Sequence, residues 1–150
     1  MDPIERFIEQ SANHAEADGL PRISGRIMAY FVINGGPYSF SEIAENLEIS
    51  RGSASTNTRL LRDLGILERY QKPGSRQDYY VLAAQPYQRL LKGYIARMEN
   101  SVTNIKQLMS VAGHDLEADA VSRLDELRDF YESAITVTET ALAQTDAEQS

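Results

Sequence analysis

Not one cysteine occurs among the 150 residues. That excludes a disulfide framework, a thiolate metal site and a thiol redox sensor together. Histidine is nearly as scarce: His14 and His114 are the only two, far apart in sequence and without ligand-spaced partners. The longest apolar run, Ile27 to Ile33, falls far short of the ~20 residues that span a bilayer. The opening Met1-Asp2-Pro3-Ile4-Glu5 has neither the basic nor the apolar region of a signal peptide. A cytoplasmic protein with no membrane partner is expected. Gly35-Gly36-Pro37 reads as a turn, because the lysine and hydroxyl residue of a phosphate loop are missing. No nucleophile, base or metal cluster supports an enzyme, and no cofactor or metal is expected.

Net positive charge is also missing: the chain carries −7. The charges are unevenly spread, however. Between Arg51 and Arg76 six basic residues (Arg51, Arg59, Arg62, Arg69, Lys72, Arg76) face two acidic ones (Asp63, Glu68), a net of +4. From Asp115 to Ser150, ten acidic and two basic residues give −8. Screening confines surface fields to about 10 Å at moderate salt, so a local basic patch can contact phosphates on an acidic molecule.

Helical signals dominate what is present. Asp2 reads as an N-cap with Pro3 at the first helical position, and Ile4, Phe7, Ile8, Ala12 and Ala15 recur at helical spacing up to Asp18-Gly19. Pro21 opens a second helix, which the turn Asn34-Gly35-Gly36-Pro37 ends. Ser39-Phe40-Ser41-Glu42 has the form of a capping box, and a short helix follows through Leu47. Glu48-Ile49 turns the chain into Ser50, a second N-cap, for a helix running to about Leu64 and stopped by Gly65. Two helices joined by so short a turn are the ingredients of a helix-turn-helix. The period then changes: 66–71 and 77–83 read as strands joined by Lys72-Pro73-Gly74-Ser75-Arg76, a hairpin wing. Pro86 opens a long helix to about Ala112 with a seam of Tyr87, Leu91, Tyr94, Met98, Ile105 and Leu108. Asp115 is expected to cap a last helix whose seam is Ala120, Leu124, Leu127, Tyr131, Ala134, Thr138 and Ala141, with a polar, fraying tail from Gln144. A helix of 27 residues is about 40 Å long. It overshoots a small winged domain and leaves apolar surface to cover, which points to a dimer.

Residues 50–62 carry the most information. On a helical wheel Ala54, Leu60, Leu61 and Leu64 gather on one side, and Arg51, Gly52, Ser55, Thr56, Arg59 and Arg62 on the other. Small hydroxyl residues let a helix approach base edges, arginine reaches guanine or phosphate, and the N-terminal amides favour phosphate. A merely solvated face would be richer in Glu and Lys. The candidate DNA-contacting set is Ser50, Arg51, Gly52, Ser53, Ser55, Thr56, Asn57, Arg59 and Arg62 on the helix, with Lys72, Ser75 and Arg76 on the wing. The partner implied is double-stranded DNA. The alternative is a winged-helix module that binds protein instead, against which Arg51, Arg59, Arg62 and Arg76 argue.

The segment Gly35 to Ala83, above all Ser50-Arg51-Gly52-Ser53-Ala54-Ser55, Arg59-Leu60-Leu61 and the wing Lys72-Pro73-Gly74-Ser75-Arg76-Gln77-Asp78-Tyr79-Tyr80, resembles MarR-like winged-helix repressors, most closely the GbsR branch. Gly65 stands where that branch often has a tryptophan. The resemblance implies an α+β, mainly α fold in one domain over residues 1–150: an N-terminal dimerisation helix (1–18), a winged helix-turn-helix (21–83) and C-terminal dimerisation helices (86–145). It implies a homodimer intertwined through the first and the last two helices, with the 50–64 helix in the major groove and the Arg76 wing at the minor groove. The branch includes regulators that respond to choline-like molecules. Tyr30, Tyr79, Tyr80, Tyr87 and Tyr94 are accordingly the candidate pocket for a small-molecule effector, since aromatic faces suit a quaternary ammonium. The reading preferred on spacing is that the same tyrosines are half-buried packing residues with wet hydroxyls.

Overall fold

The computed structural model describes residues 1–148. Its elements run α1 (Pro3–Ala17), α2 (Arg22–Asn34), β1 (Tyr38–Ser39), α3 (Phe40–Leu47), α4 (Arg51–Asp63), β2 (Leu67–Tyr70), β3 (Tyr79–Leu82), α5 (Pro86–Ala112), a 3-10 turn (Gly113–Asp115) and α6 (Ala118–Glu148). The chain divides into two units, Met1–Tyr87 and a second from Gln88 onward. The fold is mainly helical with one small antiparallel sheet, as the residue pattern predicts.

In the first unit, α1 packs on α2 at close range because Gly25 carries no side chain. A Cβ there would lie 2.4 Å from the Ser11 carbonyl oxygen and 2.8 Å from Ala15 Cβ. Arg26 extends this joint to the third helix: its Nε lies 3.2 Å from Glu9 Oε1, and its Nη2 donates to the Leu47 carbonyl at 3.1 Å, one of the acceptors left open at a helix C-terminus. Two caps differ from expectation. Asp2 occupies the N-cap position of α1 but its side chain makes no capping bond. Pro21 is the N-cap of α2 rather than its first residue, and its carbonyl accepts from Ser24 N at 3.0 Å and Ser24 Oγ at 2.6 Å.

Ile27, Phe31, Ile43, Leu61, Ile66, Leu67 and Tyr80 form the core, each at most 2% exposed. The sheet has the order β1-β3-β2, with Tyr38 opposite Tyr80, Ser39 opposite Tyr79, Arg69 opposite Tyr80 and Tyr70 opposite Tyr79. The two-residue β1 is not visible in the sequence pattern. It forms because Gly36, at φ +98°, brings the chain against β3, where a Cβ would lie 2.7 Å from the Tyr80 carbonyl oxygen.

The second unit holds most of α5 and all of α6, tied by Lys106 and Glu132 at 3.6 Å. Its helices follow the expected seams in part. On α5, Pro86, Gln88, Val102 and Ile105 are buried, whereas Tyr87, Tyr94 and Leu108 are exposed. On α6 a half-buried stripe runs through Ala120, Val121, Leu124, Arg128, Tyr131, Ala134, Ile135, Thr138 and Leu142, which takes in five of the seven expected seam residues, beside exposed Leu127, Phe130 and Val137. Asp115 does not cap this helix: it lies in the 3-10 turn, Leu116 is extended, and α6 begins at Ala118. The helix also continues to Glu148, past the expected fraying point at Gln144.

Candidate nucleic-acid interface

The turn between α3 and α4 is built by local chemistry. Ser39 Oγ accepts from Glu42 N at 3.2 Å while Glu42 Oε2 accepts from Ser39 N at 2.7 Å, the reciprocal capping box. Glu48 closes α3 in the left-handed region at φ 54°. Ser50 Oγ then accepts from Ser53 N at 3.0 Å and opens α4. Ala54, Asn57, Thr58 and Leu61 are the buried residues of α4, the i, i+3, i+4, i+7 face of a helix.

Asn57 is therefore a correction. It was expected to contact DNA, but it is 7% exposed and its Nδ2 donates to the Ser53 carbonyl of its own helix at 2.9 Å. Its polarity suggested an outward position; three residues beyond Ala54, it cannot take one. Leu60 and Leu64, expected on the inner face, are half-buried.

Of the outward set, the structure brings Arg51, Gly52, Ser55 and Arg59 together on the wall of a cavity of about 480 Å³, completed by Ser39, Phe40 and Ser41 from the start of α3 and by Gln77 and Asp78 after the wing turn. No substituent fills the space above Gly52, where a Cβ would meet only Ser50 Oγ at 4.0 Å. The Arg59 guanidinium carbon lies 5.4 Å from the Phe40 ring centre, and that ring stacks on Tyr80 at 5.2 Å. Ser50, Ser53, Thr56 and Arg62 lie outside this wall. Ser50 is engaged in capping, Ser53 is half-buried and Thr56 exposed, and Arg62 pairs with Asp63 at 3.1 Å.

On the wing, Ser75 N donates to the Lys72 carbonyl at 3.2 Å and Ser75 Oγ accepts from Gln77 N at 3.2 Å, so Ser75 shapes the turn. Lys72 Nζ sits 5.0 Å over the Tyr79 ring, Arg76 is exposed, and Arg69 pairs with Asp78 across the hairpin. Two of the six local cations thus carry a carboxylate partner. Among the described residues, Arg51, Arg59, Lys72 and Arg76 form no ion pair, which leaves them available to phosphate or base acceptors. Phe40, Ser41, Gln77 and Asp78 were not singled out from the sequence.

Of the five candidate effector tyrosines, Tyr30, Tyr79, Tyr80 and Tyr87 belong to the first unit and Tyr94 to the second. Tyr80 is 1% exposed, under Phe40. Tyr79, its neighbour on the strand, faces the opposite side of the pleat and holds Lys72. Tyr30 packs on Tyr38 at 5.1 Å, and its hydroxyl accepts from Asn46 Nδ2 at 2.8 Å. Burial and then the Tyr38 phenol push the Tyr30 pKa up to about 12, so it is neutral at physiological pH. Tyr87 and Tyr94 are exposed on α5. Neither the cavity above nor that between the start of α1 and the end of α3 is lined by any of them.

A crystal structure of a transcriptional regulator superposes with a TM-score of 0.84 at 26% identity, covering 97% of this chain and 99% of that one. The chain has the fold of a winged-helix regulator. No protein-family model matches this winged-helix chain. It is 27% identical over 131 residues to the Bacillus subtilis protein YvaV, whose name places it with HTH-type transcriptional regulators, covering 82% of this chain and 74% of that protein. It is 34% identical over 80 residues to the HTH-type transcriptional regulator MmpR5 of Mycobacterium tuberculosis. That match spans 53% of this chain and about half, 48%, of MmpR5. No described helix of the winged-helix chain is long and apolar enough to cross a membrane.

Proposed function

We propose that the chain is a sequence-specific, double-stranded-DNA-binding transcriptional regulator of the MarR-like type, in the GbsR branch, that acts in the cytoplasm as a repressor. The carrying observation is the convergence of Arg51, Gly52, Ser55 and Arg59 on one open face of a 13-residue N-capped helix, with the wing turn beside it. Small residues permit close approach to base edges and the arginines supply donors for guanine or phosphate. Occupying an operator with such a module blocks transcription there, which is the repressor reading.

The working form on this reading is a homodimer through α1, α5 and α6. Support comes from the apolar side chains these helices leave exposed: Ile4 and Phe7 on α1, Leu108 and Val111 on α5, and Leu127, Phe130 and Val137 on α6. Modulation by a cationic effector of the choline class, for which exposed aromatic faces are suited, would appear as a change in affinity when choline is titrated against a bound duplex.

Selection from a pool of randomised duplexes, followed by gel shift on the recovered sequence, tests the main proposal. Enrichment of a two-fold symmetric sequence with half-sites one turn apart is expected. A chain that enriches no sequence and shifts no duplex contradicts it.

A further inference from the structure

Arg59, on the outward face of α4, does not project alone into the cavity. Its guanidinium lies over the ring of Phe40, the first residue of α3. The same ring stacks on Tyr80 with 23° between the planes. Tyr80 is itself immobilised: it is 1% exposed, paired on both edges of β3 with Tyr38 and Arg69, and its backbone lies against Gly36. A run of contacts therefore connects the central strand of the sheet, through Phe40, to the tip of Arg59.

An unrestrained arginine loses much rotamer freedom when it docks on a base, whereas one already held over a ring loses less. The cation–π attraction is directional enough to hold the guanidinium on that side of the cavity. Among the described residues no carboxylate pairs with Arg59, so the ring is the contact that sets where it points. Resting on the DNA-reading function proposed above, we propose that Phe40, with Tyr80 beneath it, is a positioning residue for sequence discrimination: it holds the Arg59 guanidinium at the cavity mouth, oriented toward base edges.

The experiment compares the full-length wild type with Phe40→Leu, Phe40→Tyr, Arg59→Ala and the Phe40→Leu/Arg59→Ala double variant. Each is titrated on the duplex selected by the wild type and on a scrambled duplex, with thermal melts alongside. Phe40→Leu keeps an apolar side chain but removes the ring. It should lower the ratio of selected to scrambled affinity by about two- to fivefold, the worth of one exposed cation–π contact. Phe40→Tyr should restore the ratio, and Phe40→Leu should change nothing further once Arg59 is alanine. A ring acting only as a lid on the core would move the melting temperature and leave the ratio alone, and that result overturns the proposal. So does an equal fall in the ratio with Arg59 already removed. Should Phe40→Leu not fold, proton NMR of the free wild type decides: the Arg59 δ-methylene protons are expected upfield under the Phe40 ring current, and unshifted protons overturn the contact. A wild type with no duplex preference overturns the DNA reading and this proposal with it. A preference that survives intact in folded Phe40→Leu overturns this proposal alone.

Discussion

The two units of this chain answer different physical demands. The first builds a tight core from short elements and turns a face of small residues and unpaired cations outward. The second consists of two long helices, carries −5 of the net −7 charge, and leaves Phe130 64% and Val137 70% exposed. Small and basic surface on the one suits close approach to a polyanion. Large apolar surface on the long helices of the other suits a protein partner, for which a second copy of the chain is the proposed occupant. The contrast also explains how a chain of net charge −7 is proposed to bind DNA: the sign of the field is set locally.

Deleting residues from Asp115 onward should break this division of labour most severely. If the second unit supplies the dimer, sedimentation should report a monomer. Affinity for a two-half-site duplex should then drop by about 10²- to 10⁴-fold, the advantage that linking two binding modules confers. A truncated chain that stays dimeric and binds normally removes this role from α6.

The local basic patch should make binding strongly salt-dependent. Each phosphate neutralised contributes about −0.9 to the slope of log K against log salt. Arg51, Lys72 and Arg76 in each subunit should give the dimer a slope steeper than about −4. A slope near zero in a salt titration would show that the acidic unit governs the surface after all.

Two glycines separate packing from recognition within the first unit. Gly25→Ala would drive a Cβ into the Ser11 backbone. It should cost about 1–3 kcal/mol of stability in a denaturant melt, the usual penalty of overpacking. Gly52→Ala meets open space on an exposed helix. It should raise stability by about 0.5–1 kcal/mol while weakening duplex binding, because the added methyl occupies the approach surface. A Gly52→Ala chain that binds as well as wild type would show that α4 does not approach DNA closely there.

Most of the first unit is readable from the residues because its signals are local. Ser39 with Glu42, and Ser50 with Ser53, fix two helix starts through bonds spanning three residues, and such pairs are legible in any sequence. The features that escape such a reading depend on neighbours distant in the chain. Asn57 looks like a DNA contact by type and is buried by its angular position. Strand β1 is two residues long and exists only through β3. The α5 and α6 seams hold only in part for another reason: Ile105 is buried and Leu124, Tyr131 and Thr138 are half-buried, but apolar residues at spacings of three and four occupy two adjacent stripes, and spacing alone does not say which one is covered. Phe40 escapes notice because its partners, Arg59 and Tyr80, lie 19 and 40 positions away.

Whether α4 reads bases while the wing anchors backbone is decided by titrating Arg59→Ala and Arg76→Ala on selected and scrambled duplexes at several salt concentrations. Arg59→Ala should cost about 1–3 kcal/mol on the selected duplex and much less on the scrambled one, whereas Arg76→Ala should weaken both alike and make the salt slope shallower by about one unit for each phosphate that is no longer neutralised. Arg76→Ala altering the sequence preference while Arg59→Ala leaves it intact would contradict the assignment of α4 as the reader.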